Sequence, residues 1–140
     1  MNVTIISFDF WGFDQHIIKA LKQRGIRANH INLNEFKYHY PTIFHRVWNL
    51  LSKLLFRKNI KKIKRQEFVV KQIKTLGAQD QVLVIRPDLL DLETHRIIKT
   101  FCRRYMAYLY DSTKRFPIDH LIAAGVFNKI YSFDSHDVEA

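Results

Sequence analysis

The stretch "QVLVIRPDLLDLETHRIIKTFCRRYMAYLYD", Gln81 to Asp111, decides the fold. Its first part, "VLVI", is apolar without alternation, as expected of a strand covered on both faces in a parallel sheet. "LLDLETHRIIKTFCRR" then reads as a helix with Leu92, Ile98 and Phe101 available for burial, and "YMAYLYD" reads as a second strand. A strand, a helix and a strand in close succession make a parallel crossover unit.

Working outward, the same alternation recurs. "VTIISF" (Val3 to Phe8) is a strand by the same reasoning. "FDQHIIKALKQRG" is a helix with Phe13, Ile17, Ala20 and Leu21 on one stripe and Gly25 as its stop, and "IRANHINL" is a weaker second strand. Asn34 to Leu76 is a long helical stretch with Ile43, Val47, Leu50, Leu51, Leu54 and Leu55 at helical spacing. A break near Lys58 and Asn59 divides it in two, and Gly77 ends it. "IDHLIAAG" is a short helix and "KIYSFD" a fifth strand. The predicted order, β-α-β-α-α-β-α-β-α-β, implies a three-layer, Rossmann-like α/β domain over residues 1–140, with a mainly parallel five-stranded sheet and a basic helical pair inserted at 34–76.

Composition narrows the class. A chain of 140 residues with 47% hydrophobic side chains can bury a core without disulfides or metal. Cys102 is the single cysteine, so no disulfide can form within the chain; it is read as an inert thiol on the helix, and a cytoplasmic setting fits. The N-terminus has no basic n-region and meets an acid at Asp9, unlike a signal peptide, and no run of about 18 apolar residues suggests a membrane span. The net charge of +10 favours an anionic partner: nucleic acid, lipid headgroup or phosphorylated ligand. "SHDVEA" at the end places Ser135 as an N-cap with Asp137 and Glu139 in a first turn. A helix so short cannot repay its nucleation, so the chain is expected to continue into a longer protein.

Parallel sheets bind ligands at the carboxyl ends of their strands. That edge collects Asp9, Trp11 and Gly12 from the first strand, Arg86 and Asp88 from the third, Asp111, Ser112, Lys114 and Arg115 from the fourth, and Asp134, Ser135 and His136 from the fifth. Arg86 follows four apolar residues and needs a partner, either Asp111 or Asp134 in an ion pair or a ligand. Asp111 to Arg115 is either a capped, solvated turn or an anion and sugar site in which Lys114 and Arg115 meet phosphate and Asp111 or Ser112 meets hydroxyls. Trp11 is either packed on its neighbouring helix or a platform for a sugar ring or base. Gly-rich phosphate fingerprints are absent, as are metal-ligand spacings and nucleophile motifs, so no bound metal or cofactor is expected; Asp9, Asp111 or Asp134 could still serve as a base. The basic stretch, with Lys53, Arg57, Lys58, Lys61, Lys62, Lys64 and Arg65, admits three readings: a solvated helix pair packed on the sheet, an anionic membrane surface, or, less well, nucleic acid.

"VLVIRPDLL", "YMAYLYDSTKRFP" and "FNKIYSFDSHDVEA" together resemble the N-terminal half of bacterial CgeB-like glycosyltransferases and related lipopolysaccharide or capsule biosynthesis proteins. In these, a strand closes in "WDS" or "YDS" before a basic residue, and a phrase such as "FDKIYSFDPEDA" opens the next helix. This chain has serine where many of those have proline after the aspartate. The resemblance implies a GT-B architecture in which this domain faces the glycan or lipid-linked acceptor. The nucleotide-sugar donor would sit on a second domain beyond this chain, whose residues have no counterparts here. It also implies no bound metal, and peripheral membrane contact through the basic helices.

Overall fold

The computed structural model describes residues 1–56 and 59–137. Its centre is a five-stranded, all-parallel sheet in the order β2-β1-β3-β4-β5, with β1 (Asn2–Ser7), β2 (Arg27–Asn32), β3 (Gln79–Ile85), β4 (Cys102–Leu109) and β5 (Lys129–Ser132). β1 pairs with β2 and with β3, so the order reverses between β1 and β3. The helices are α1 (Phe13–Gln23), α2 (Ile43–Phe56), α3 (Ile60–Leu76), α4 (Leu92–Thr100) and α5 (Asp119–Ala123). The chain is a Rossmann-like α/β domain, as its alternating elements predict.

Right-handed crossovers put α1 on one face, because β2 lies to one side of β1, and the later helices on the other. The larger core forms under α3 and α4, where Ile6, Val82, Val84, Tyr105 and Ala107 of the strands meet Val69, Ile73 and Ile98. α5 extends this layer through Leu121, packed with Leu109, Ile118 and Val126. On the opposite face Ile18 of α1 covers Ile5, Ala28 and Ile85. Tyr108 is half-buried beside that cluster, while Tyr131 of β5 stays 42% exposed. This outer layer therefore covers the β1–β2 side more fully than the β4–β5 side.

Two sequence expectations are corrected. The inward stripe of α1 is Ile18 with Leu21, whereas Phe13 and Ile17 are 68% and 44% exposed. The rotation follows from the N-terminus of the helix, where the Asp14 N–H must reach the carboxylate of Asp9. α4 ends at Thr100, so Cys102 opens β4 instead of lying on a helix. Its thiol donates to Ile98 O at 3.6 Å, and burial pushes its pKa up to about 11. Ser135–Asp137 forms a single 3₁₀ turn, and the expected continuation through Glu139 lies outside the described residues.

Within 34–76 the two helices have different roles. α3 is the β2–β3 crossover itself: Val69 and Ile73 are fully buried, and Gly77, at φ 69°, ends it in a conformation that glycine adopts without strain. α2 stands outside the layers.

Candidate functional site: the carboxyl edge of the sheet

β1 delivers the loop Phe8 to Gly12. Asp9 is buried, its carboxylate accepts from Asp14 N–H at 3.2 Å, and its carbonyl accepts from the amides of Asn32 and Asn34 at 3.4 Å. A carboxylate thus already occupies the N-terminus of α1, the place where such folds would otherwise receive an anionic ligand. Gly12, at φ 79°, makes the left-handed turn into α1. Trp11 is 75% exposed, with its ring edge-on to Phe10 at 5.0 Å between centroids.

β3 ends in Arg86, at φ 62° and ψ 65°, a left-handed conformation that costs a non-glycine residue about 1–2 kcal/mol. The side chain offsets that cost. Arg86 Nε and Nη2 donate to the two oxygens of Asp88 at 2.7 and 2.6 Å, Nη1 donates to Tyr110 OH at 3.3 Å, and the guanidinium lies 3.5 Å from the Phe116 ring centroid. The Asp88 carboxylate raises the Arg86 pKa further above its ordinary range. Of the partners expected for Arg86, neither Asp111 nor Asp134 is used; the left-handed turn brings the near neighbour Asp88 into bidentate reach instead.

The β4 and β5 loops interlock. Asp111 accepts from Ser112 N–H at 2.9 Å and from Arg115 Nη1 at 2.8 Å. Ser112 and Thr113 turn toward Asp137, which accepts from Thr113 Oγ1 at 2.7 Å, Thr113 N–H at 3.1 Å and Ser132 Oγ at 2.8 Å. The Thr113 hydroxyl, joined by Ser132 and the Thr113 amide, holds the Asp137 carboxyl below its ordinary range. Asp134 caps its own turn through His136 N–H at 3.0 Å, leaving the side chains of Ser135 and His136 exposed. Lys114 is exposed with no carboxylate partner among the described residues, and Arg115 is paired but 72% exposed.

The N-terminus of α3 reaches the same edge. Asn59, Lys61, Lys62 and Arg65 line an open hollow of about 310 Å³ with Asp88 and Leu89. The Arg65 guanidinium sits 5.8 Å from the Phe8 ring centroid, and its buried Nε has no hydrogen-bond partner among the described residues. Lys64 instead pairs with Glu67 at 2.7 Å, which raises its pKa. Lys53 lies on α2 and lines a separate hollow with Lys61, and Arg57 and Lys58 lie outside the described residues. A larger hollow, about 670 Å³, opens at the amino ends of the strands around Asn2, Lys22 and Gln79.

Five carboxylates of the edge accept a hydrogen bond from within the protein: Asp9, Asp88, Asp111, Asp134 and Asp137. What faces outward is aromatic and cationic: Phe10, Trp11 and Phe133, at 63%, 75% and 77% exposure, with Lys114 and Arg115. Sequence reasoning missed Tyr110, Phe116 and Asp137, which fix the edge. Asp137 was visible only as a helix-start acid. Asp9, Asp14 and His30 place one ligand atom each within 4.8 Å, a grouping no spacing motif would reveal. Both His30 nitrogens are already engaged, by Ser7 Oγ and Gln15 Nε2 at 2.8 and 2.9 Å.

No family model and no curated protein matches the chain. Among solved structures, the azoreductase from Bacillus anthracis str. Sterne aligns over 94% of this chain and 85% of its own, at 9% identity and a TM-score of 0.36, a likeness too low to argue from. No helix among the described residues is long and apolar enough to cross a membrane.

Proposed function

We propose that this domain supplies the acceptor side of the cleft of a GT-B glycosyltransferase that builds surface polysaccharide or glycoconjugate. The observation that carries this reading is the pairing of exposed aromatic faces with cations along the carboxyl edge of the sheet. Aromatic faces stack on the C–H faces of sugar rings, and cations take up their phosphate or uronate groups. From β1 to β5 the edge runs three strand spacings, roughly 14 Å, enough for more than one sugar ring. A nucleotide-sugar donor would bind a second domain facing this edge, and the thinly covered β4–β5 face supports a longer chain that packs against it.

The test follows Trp11 fluorescence in a Trp48→Phe background while neutral oligosaccharides, sugar phosphates and nucleotide-sugars are titrated in. The expected result is a saturable change with oligosaccharide that Trp11→Ala abolishes, and no response to nucleotide-sugar by this domain alone. Indifference to every oligosaccharide, or a response to nucleotide-sugar only, overturns the reading.

One observation favours a second reading, a binding module for a phosphorylated small molecule. The buried Nε of Arg65, without a hydrogen-bond partner among the described residues, belongs to a side chain that lines the hollow at the N-terminus of α3 with Lys61 and Lys62. It predicts that inorganic phosphate or a sugar phosphate raises the melting temperature and that Arg65→Gln removes the effect. An unchanged melting temperature across those ligands removes it.

A further inference from the structure

Helix α2 is inverted. Its buried residues are polar, Asn49 at 3% and Ser52 at 8% exposure, whereas Ile43, Phe44, Val47, Trp48, Leu50, Leu51, Leu54 and Leu55 are all exposed, between 43% and 84%. At 100° per residue these eight occupy an arc of about 160°. The helix is 14 residues long, about 21 Å, so this is a continuous apolar face and not a scatter of single side chains.

The inversion is held in place by specific bonds. Asn49 Nδ2 donates to Tyr40 OH at 2.6 Å, and Asn49 Oδ1 accepts from Ile60 N–H, the first residue of α3, at 2.9 Å. Turning the apolar face inward would strand these groups. Thr42 accepts from His45 N–H at 3.4 Å and caps the start of the helix.

Charge identifies the occupant of that face. Between Glu35 and Glu67 the sequence holds nine Lys and Arg and no Asp or Glu. Arg46 and Lys53 lie along one margin of the apolar arc, and Lys61 of α3 joins them around an open hollow of about 410 Å³ that also touches Val47 and Leu50. A second copy of the chain would bring the same positive charge to the contact and be repelled. Nucleic acid would meet the cations but leave the apolar face in water. A surface that is apolar in its interior and anionic at its headgroups satisfies both.

We infer that α2 is an interfacial helix that docks this domain on anionic lipid bilayers, with Val47, Trp48, Leu50, Leu51, Leu54 and Leu55 entering the headgroup boundary and Arg46, Lys53 and Lys61 pairing with lipid phosphates. Such helices lie in the interface plane and gain from both buried apolar area and anionic lipid. The inference does not depend on the proposed sugar-binding edge.

The test is flotation of the 140-residue protein with vesicles of phosphatidylcholine alone and of equimolar phosphatidylglycerol and phosphatidylcholine, read with Trp48 emission in a Trp11→Phe background. The expected result is binding to the anionic vesicles only, with a blue shift of Trp48. Val47→Glu and Leu54→Glu should each weaken binding about tenfold or more, and Arg46→Glu and Lys53→Glu about fivefold or more each. Raising salt from ~0.1 to ~1 M should weaken it as well, as the screening length falls from about 10 to about 3 Å. All four sites are exposed, so circular dichroism should show the fold intact.

Four outcomes overturn the inference. One is no flotation at low salt, and another is flotation that survives both glutamate substitutions in the apolar face. The others are a dimer dissociated by Leu54→Glu that ignores vesicles, and duplex DNA binding indifferent to Leu54→Glu without vesicle binding.

Discussion

His95 makes the stability of this domain depend on pH in a way that can be calculated. The ring is fully buried between α4 and β4, edge-on to Phe127 at 5.1 Å between centroids. Pro87 O can only accept, so Nε2–H donates to it at 2.9 Å, and Nδ1 accepts from Tyr105 OH at 2.6 Å. Burial disfavours the charged ring and lowers its pKa from 6.5 to about 4. The unfolded chain therefore takes up the proton first on acidification. The stabilisation is complete above the unfolded value of 6.5, declines as pH falls, and is gone below about 4, where both states are protonated. At about 1.36 kcal/mol for each pH unit between the two values, the whole contribution is about 3 kcal/mol, of which about 2 is lost by about pH 5. His95→Gln keeps a donor for Pro87 and an acceptor for Tyr105 but cannot titrate. Urea unfolding of both proteins at about pH 7.5 and about pH 5 isolates the effect, because the other histidines and the net positive charge are common to both. The stability advantage of the native chain over the variant should shrink by about 2 kcal/mol, roughly 1 M in relative midpoint. A difference that stays constant between the two pH values refutes the buried neutral imidazole.

Three further perturbations address the edge and the outer helix. Asn49→Ala leaves Ile60 N–H and Tyr40 OH unpaired and should cost about 1–3 kcal/mol, seen as faster proteolytic cleavage between α2 and α3 with β4 amides still protected. Arg86→Lys loses the bidentate bond to Asp88 and the stacking on Phe116 while keeping the left-handed backbone, so the melting temperature should drop, by an amount equivalent to about 1–2 kcal/mol. Asp137→Asn removes the charge that Thr113 and Ser132 stabilise, so amide exchange at Thr113 should speed up above the carboxylate range. Because the folded carboxyl titrates low, the native chain should lose this protection only as pH falls through that lowered value, and the two proteins should then converge.

The sheet was readable because parallel strands announce themselves locally: "VTIISF" and "VLVI" have no polar alternation, and each is followed by a helix of ordinary length. What failed was orientation. In α1 the count of apolar residues favoured Phe13 and Ile17, but the bond from Asp14 N–H to Asp9 set the rotation and put Ile18 inside. In α2 the same count describes a core stripe, yet that stripe faces water because Asn49 finds its partners 9 and 11 residues away. The rule for strand ends named residues that the structure does gather along one edge, but it did not show how they are wired together. Arg86 pairs with Asp88 only because its own backbone turns left-handed, and Asp137 is recruited across two loops by Thr113 and Ser132. Periodicity records which residues are apolar; it does not record which polar group must be satisfied first.

The relation between the outer helix and the edge follows from the crossover geometry. α3 runs antiparallel to the strands, so its last turn lies near the start of β3 and its first turn lies at the carboxyl edge, where Lys62 and Arg65 share a hollow with Asp88. Asn49 ties α2 to that first turn. Asp88 is fixed to Arg86, and Arg86 to Tyr110 and Phe116. The tie at Asn49 and the carboxyl edge therefore meet at the first turn of α3, where Lys62, Arg65 and Asp88 line one hollow. The paired hydrogen bonds of Asn49 hold α2 against that turn with its apolar face outward, so Asn49→Ala should weaken flotation with anionic vesicles while the amides of the sheet stay protected, and flotation equal to that of the native chain would refute this role of Asn49.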